Sequence, residues 1–493
     1  MTDAAAPVPD LAGIPASIPA TDPLAPYDAV LLLSYGGPRR PEDVLPFMRN
    51  ATAGRGVPDS RLLEVSGHYQ GFGGASPINA RNAELRDALQ ARLTERGSTL
   101  PVVVGNRNWH PFVSQALREL ANTGARHVLA LPTAAFGSYS GCRQYREDLA
   151  GAAALLAAGA DGSTGDGFEA DAAARVGGEG GAPVDLTVDK TRPYYNTPGL
   201  LEANVDAIVE AYGTLAEQGV AAADVRLVLV THSIPLGMET GSAPTPESDG
   251  ASESAGAGQP AGRPAGPREP GVTADLSTEV SYVAQHRALA AVLVPEVARR
   301  LGLEEVESDL VYCSRSGPPQ ARWLEPDVND HLEALAAGQL IDGSPADRPG
   351  GVVVAPFGFI SDHMEVVFDL DTEAAQTARD LGMPYARAAT VGTHPAFVDS
   401  LVDILIERAA VARGEDVHPA STTGVGPFHT VCPPSCCRSG THHPGRHSRH
   451  GADGATHESA TGHQPAAGGS CRPASAEPES LKPASCGRMK EKR

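Results

Sequence analysis

VRLVLVTHSIP, residues 225–235, decides the fold. After Arg226 the run is apolar at every position to Val230, with no alternation of polar and apolar side chains. A strand of that kind must be covered on both faces, which is the situation inside a parallel sheet flanked by helices. The run then stops at Thr231-His232-Ser233, with Pro235 closing it. Working outward, the same signature recurs in YDAVLLLSYGGP (27–38), PVVVGNRN (101–108), HVLALPTAAF (127–136), DLTVD (185–189), DLVYCSRSG (309–317) and GVVVAPFGF (351–359). Helical periodicity falls between them, over about 79–96, 111–124, 198–218, 276–302, 363–380 and 395–413. Strand alternating with helix predicts a doubly wound α/β architecture, with enough strands for two such lobes of parallel sheet facing one another.

Composition divides the 493 residues further. The chain carries 54 Gly and 42 Pro, concentrated in a few stretches that cannot bury much apolar surface. Residues 1–26 read as a disordered N-terminal segment, 158–183 and 241–271 as flexible insertions, and 438–493 as a disordered His-rich tail. The first lobe is expected over 27–157, with helix 395–413 packing back on it. The second lobe is expected over 184–240 and 272–394, and a cysteine-bearing segment over 414–437. A net charge of −21 argues against nucleic acid and anionic membrane as partners. No apolar run is long enough to span a bilayer, and the start lacks a signal-peptide pattern, so a cytoplasmic location is expected. Seven clustered cysteines suit a reducing compartment better than a disulfide framework.

In open α/β sheets ligands gather at the carboxyl ends of strands. Those ends carry Tyr35-Gly36-Gly37, Asn106-Arg107-Asn108, Thr133–Tyr139, His232-Ser233, Ser314-Arg315-Ser316 and Phe357-Gly358-Phe359. There is no Gly-x-Gly-x-x-Gly fingerprint and no Walker loop, so a nucleotide cofactor is not expected. Small, aromatic and neutral polar residues suit a flat, largely apolar ligand. A lone His232 would more often stabilise a turn. The stretch FISDHMEVVFDLDTEA (359–374) changes that weighting. With Ser361 or Asp362 capping a helix, Glu365, Asp369 and Glu373 follow at i+4 spacing along one face. Such a ladder, starting at the sheet edge that holds His232, can guide a hard divalent cation inward by exchanging waters for carboxylate oxygens.

LLLSYGGP, FGGASPIN, GNRNWHPF, VTHSIP and PFGFISDHMEVVFDLDTEA occur in order within residues 27–412, and together resemble the ferrochelatase family. The resemblance implies two Rossmann-like lobes with a porphyrin in the cleft, and insertion of ferrous iron as substrate into that porphyrin during haem synthesis. It implies catalytic roles for His232 and Glu365 at the porphyrin centre, both near the incoming iron, with Asp369 and Glu373 on the metal path. It places Tyr35 on the opposite wall and Ser76 and Tyr145 near the porphyrin. For the last two, a helix cap and a packed aromatic are equal alternatives. Arg49 and Arg55 could pair with propionates, or simply be solvated. The expected substrate is coproporphyrin III, with protoporphyrin IX second. A cobalt or nickel tetrapyrrole chelatase and a non-catalytic porphyrin- or metal-binding chaperone remain as other readings. A monomer is expected, with at most transient contact to neighbouring haem-pathway enzymes.

CPPSCC supplies Cys432, Cys436 and Cys437, three thiolates where a zinc or iron–sulfur site usually takes four. Cys313 sits inside a strand and reads as a core residue, while Cys471 and Cys486 lie in the tail. Cys142, in GSYSGCRQYRE just after a strand end, is expected to be ordered and partly exposed. The resemblance extends to ferrochelatases that hold a [2Fe–2S] cluster with one internal and several C-terminal cysteines, which implies Cys142 as the fourth ligand. Zinc is not separated from iron–sulfur by sequence.

Overall fold

The computed structural model describes residues 21–159, 182–241, 281–315, 321–433 and 436–437. Most of the two insertions expected at 158–183 and 241–271, and the tail from 438, lie outside these residues. Among the described residues eight strands form two four-stranded sheets, all parallel. The first contains β1 (Ala29–Ser34), β2 (Val102–Asn106), β3 (His127–Pro132) and β4 (Thr187–Lys190) in the order β2-β1-β3-β4. The second contains β5 (Val225–His232), β6 (Ser308–Cys313), β7 (Gly351–Ala355) and β8 (Tyr385–Arg387) in the order β6-β5-β7-β8. The two orders are the same topology used twice. In each sheet the first strand is the point where the winding reverses, which is where such sheets open a crevice.

Unbroken apolarity has the expected cause. In β5, Val225, Leu227 and Leu229 enter one core while Val228 and Val230 enter another. In β1, Val30 and Leu32 face the first of these cores, and Ala29, Leu31 and Leu33 a third. One central core is therefore shared by both sheets, and each sheet has a private core on its outer face. At about 1.5–3 kcal/mol for each fully buried aliphatic side chain, these layers dominate the stability of the fold.

Helices Ile78–Glu95, Val113–Asn122, Pro198–Glu217, Tyr282–Leu301 and Pro395–Ala412 occupy the expected stretches. The last of these lies against Ile78–Glu95, where Arg92 pairs with Asp399 and Arg96 with Asp403. Helices Val44–Ala51, Asp59–Gly71, Gln144–Ala157 and Val328–Ala336, and the three-residue strand β8, were not expected from periodicity. Pro46 and the glycines around residue 71 masked the first two; a proline within the first turn is tolerated because its missing N–H would be unpaired there anyway.

Three expectations need correction. Thr187–Lys190, expected in the second lobe with the rest of 184–240, pairs with β3 and closes the first sheet, because its backbone groups find their partners on the free edge of β3. Order begins before residue 27: Leu24 is fully buried, and the Asp22 carboxylate accepts from the Leu24 and Thr99 amides. The helix after β7 also differs. Met364 and Glu365 lead into a π-helix, Val366–Ala374, continued by α-helix Ala375–Asp380. Asp362 does not cap it; its carboxylate accepts from Arg387 and Thr390 instead.

Candidate active site and a thiol cluster

His232 is the last residue of β5, and the backbone around it is fixed from behind. Thr231 is fully buried, and its hydroxyl bonds to the Tyr282 hydroxyl at 2.7 Å and to His286 Nε2 at 2.8 Å. The Tyr282 hydroxyl also donates to the His232 carbonyl at 3.1 Å. Burial pushes His286 down to about 3, so this histidine is a neutral structural partner. On the other side Gly358 packs so closely that a Cβ there would overlap Thr231. The strand end is thus held rigidly while the His232 imidazole remains partly exposed.

His232 Nδ1 stands 3.8 Å from Glu365 Oε2, and His363 Nδ1 lies 4.0 Å from the same oxygen. Burial lowers His363 below the usual imidazole range, against the pull of Glu365, so it too is neutral near pH 7. Sequence reasoning did not single out His363. Its signal was its place two residues before Glu365, directly after a buried strand.

The carboxylates expected as a ladder do come together, on a wider helix than expected. In a π-helix the hydrogen bonds run i→i+5, and residues four to five apart follow one another along a face. Asp369 feels both Glu365 and Glu373. Burial first, then those two neighbours, push Asp369 up to about 7, opposed by the Ser314 hydroxyl that donates to it. Ser314 holds this position with a left-handed backbone, φ 64°. Burial also raises Glu373. Outermost, His68 of the first lobe stacks on Phe368 with ring centroids 4.0 Å apart.

Tyr35 follows β1 as His232 ends β5, so corresponding strands of the two lobes present the two residues. It is 38% exposed, and its phenol lies within the influence of Arg55, Arg107 and Glu365. Phe47 meets its ring edge-on at 6.1 Å. The neighbouring Gly36 has φ +77°, and a Cβ there would lie 2.8 Å from that of Asn106, so the turn that presents Tyr35 requires glycine. The Arg107 guanidinium lies 5.9 Å from the centre of the Tyr35 ring and 4.5 Å from that of Tyr145, and pairs with Asp148. Tyr145 itself is buried beneath Arg107, among core residues. Ser76 is also buried, against Gly37. Arg49 is engaged with Asp59 at the surface, whereas Arg55 is exposed beside Tyr35.

A second cluster is made of thiols. Cys142 lies in a short π-helix, Tyr139–Arg143, and is buried, not partly exposed as its position after a strand suggested. Cys436 and Cys437 are buried with it and Cys432 packs against them; the Cys436 and Cys437 sulfurs are 3.6 Å apart. Cys142 accepts hydrogen bonds from the Cys432 and Cys437 thiols, which with Lys190 hold it well below the usual thiol range despite its burial. Neighbouring thiols likewise bring Cys436 down to about 4. Arg143 donates to the Cys436 carbonyl, and Arg146 to those of Cys432 and Pro433, so the chain carrying three cysteines is tied to the helix that follows Cys142. Among the described residues, no three His, Cys, Asp or Glu side chains stand ready around one point as ligands. The four thiols are nonetheless a soft donor set of the number an iron–sulfur cluster takes; hydrogen bonds among them draw Cys142 and Cys436 toward the thiolate and push Cys432 and Cys437 up as the donors. Cys313 is a buried strand residue, apart from this set.

A family model described as Ferrochelatase matches residues 27–409. The chain belongs to the ferrochelatase family. Coproporphyrin III ferrochelatase of Streptomyces coelicolor is 42% identical over 84% of this chain and 94% of its own. The protein of that name from Leifsonia xyli is 39% identical over 85% and 92%. A protein named Ferrochelatase from Rhodopirellula baltica is 37% identical over 84% and 94%. Among solved structures, a cobalt complex of sirohydrochlorin chelatase SirB from Bacillus subtilis subspecies spizizenii matches 79% of this chain and 97% of its own, at 11% identity and a TM-score of 0.38. His232 and Glu365 belong to the second lobe and Tyr35 to the first. No helix among the described residues is long and apolar enough to cross a membrane.

Proposed function

We propose that this ferrochelatase inserts ferrous iron into coproporphyrin III, forming iron coproporphyrin III for haem synthesis. The observation that carries the reading is the pairing of His232 Nδ1 with Glu365 Oε2 at 3.8 Å, at the switch-point strand of the second sheet. Relatives named for coproporphyrin III support the choice of porphyrin, as does the exposed Arg55 beside Tyr35, a partner suited to a propionate. A free-base porphyrin must lose two pyrrole protons before iron sits in its plane. His232 accepts the two pyrrole protons one after the other, and Glu365 passes each outward before the next is taken. Asp369, titrating near 7, takes it up at neutral pH, and Glu373 returns it to solvent. The same oxygens lead ferrous iron inward as substrate. Iron stays ferrous throughout, so insertion itself asks for no electron or hydride.

Cys142, Cys432, Cys436 and Cys437 hold a [2Fe–2S] cluster in this reading. When bound, the cluster supplies a covalent staple between the 432–437 segment and the loop after β3, and a one-electron centre. The free thiols among the described residues suit a reducing cytoplasm, where the enzyme acts as a monomer. Anaerobic incubation with ferrous iron and either porphyrin, followed by absorbance, tests the activity. No metalation of coproporphyrin III refutes it; preference for protoporphyrin IX replaces the substrate. A colourless protein with one bound zinc refutes the cluster, and light scattering in solution checks the monomer.

A further inference from the structure

A cation faces the thiol cluster directly. Lys190 is the last residue of β4, level with Ala130 of β3, and its side chain is partly buried. Its ammonium lies 3.3 Å from Cys142 Sγ and donates to the Thr191 carbonyl at 2.7 Å. The neighbouring Asp189 is engaged elsewhere, with Arg408 at 2.9 Å and the Tyr27 hydroxyl at 2.8 Å. Arg143 and Arg146 also stand close, but the bonds described above run to backbone carbonyls of the cysteine segment. Lys190 donates to a sulfur itself.

We infer that Lys190 is a tuning residue for the cluster: its fixed positive charge, hydrogen-bonded to Cys142 Sγ, raises the cluster's reduction potential and favours assembly on an all-thiolate set. The inference rests on the cofactor reading above. Four thiolates around a [2Fe–2S]2+ core carry a net charge of −2, and taking up one electron makes it −3. A nearby cation stabilises the reduced form more than the oxidised one, and hydrogen bonds to the sulfurs act in the same direction.

The test is a potentiometric titration of the full chain, purified anaerobically with its cluster, using dithionite as reductant and absorbance and EPR as readouts. Iron and sulfide per chain are measured on the same samples. Lys190→Gln is expected to shift the potential downward relative to the unsubstituted protein, while Lys190→Arg, which keeps the charge, stays nearer to it. Loss of the cluster from Lys190→Gln alone, with Lys190→Arg still loaded, also supports the inference. A loaded Lys190→Gln with unchanged potential overturns it, as does an equal effect of both substitutions, which would make side-chain shape the cause. A zinc-containing, colourless starting protein overturns the cofactor reading and the inference with it.

Discussion

Glu365 Oε2 is shared by two histidines, lying 3.8 Å from His232 Nδ1 and 4.0 Å from His363 Nδ1. His232 ends one strand of the second sheet, whereas His363 and Glu365 follow the strand beside it. Their meeting depends on β5 and β7 being paired in register, Leu229 opposite Ala355.

His232→Ala is expected to lower anaerobic metalation by about 100-fold or more, the usual scale for removing a positioned base. Porphyrin binding, read by fluorescence quenching, should persist. Combining His232→Ala with Glu365→Gln should cost little more than the worse single change, because the two act on one proton path. Full additivity in initial rates would argue for separate roles.

Asp369 makes stability depend on pH in a definite direction. Its carboxyl titrates near 7 in the fold against an ordinary value of 3.8. Between about pH 4 and 7 the folded protein therefore binds more protons than the unfolded chain, and this contribution to stability is lost as pH rises through that window. Asp369→Asn removes the dependence. Melting temperatures should show the variant gaining on the unsubstituted protein from pH 5 to pH 7.5; parallel curves would contradict the shift.

Gln285 joins the helix behind His232 to the loop after β3. Its side-chain oxygen accepts from the Gly137 amide at 2.7 Å and its nitrogen donates to the Gly137 carbonyl at 2.8 Å. Gln285→Leu leaves two buried backbone groups unpaired and should destabilise the protein by about 2 kcal/mol. Denaturant unfolding measures it, and a change below about 0.5 kcal/mol would show that water replaces the amide.

Arg192 and Glu407 form a buried bidentate pair at 2.8 and 3.0 Å, and Glu407 also accepts from Thr430. Arg192→Met strands the carboxylate and should cost about 3–5 kcal/mol. Adding Glu407→Met should recover much of that loss, since the penalty comes from the unpaired charge. A double variant as unstable as the single one would assign the loss to packing instead.

The sequence by itself determined seven of the eight strands, because a strand covered on both faces is apolar and so announces itself in runs such as Leu227–Val230; the three residues of β8 are too few to do so. It also determined that His232 ends a strand and that Glu365, Asp369 and Glu373 share a helix, since both follow from local spacing. Three things were decided only by tertiary structure. The π-helix arises where the chain after β7 must pack on the sheet, so local propensity does not announce it. His363 became part of the site only because β7 lies beside β5. Lys190 and Cys142 are 48 residues apart in the chain and meet at 3.3 Å because β4 pairs with β3. Spacing along a chain reports what one element carries; only sheet order and register bring different elements to the same point.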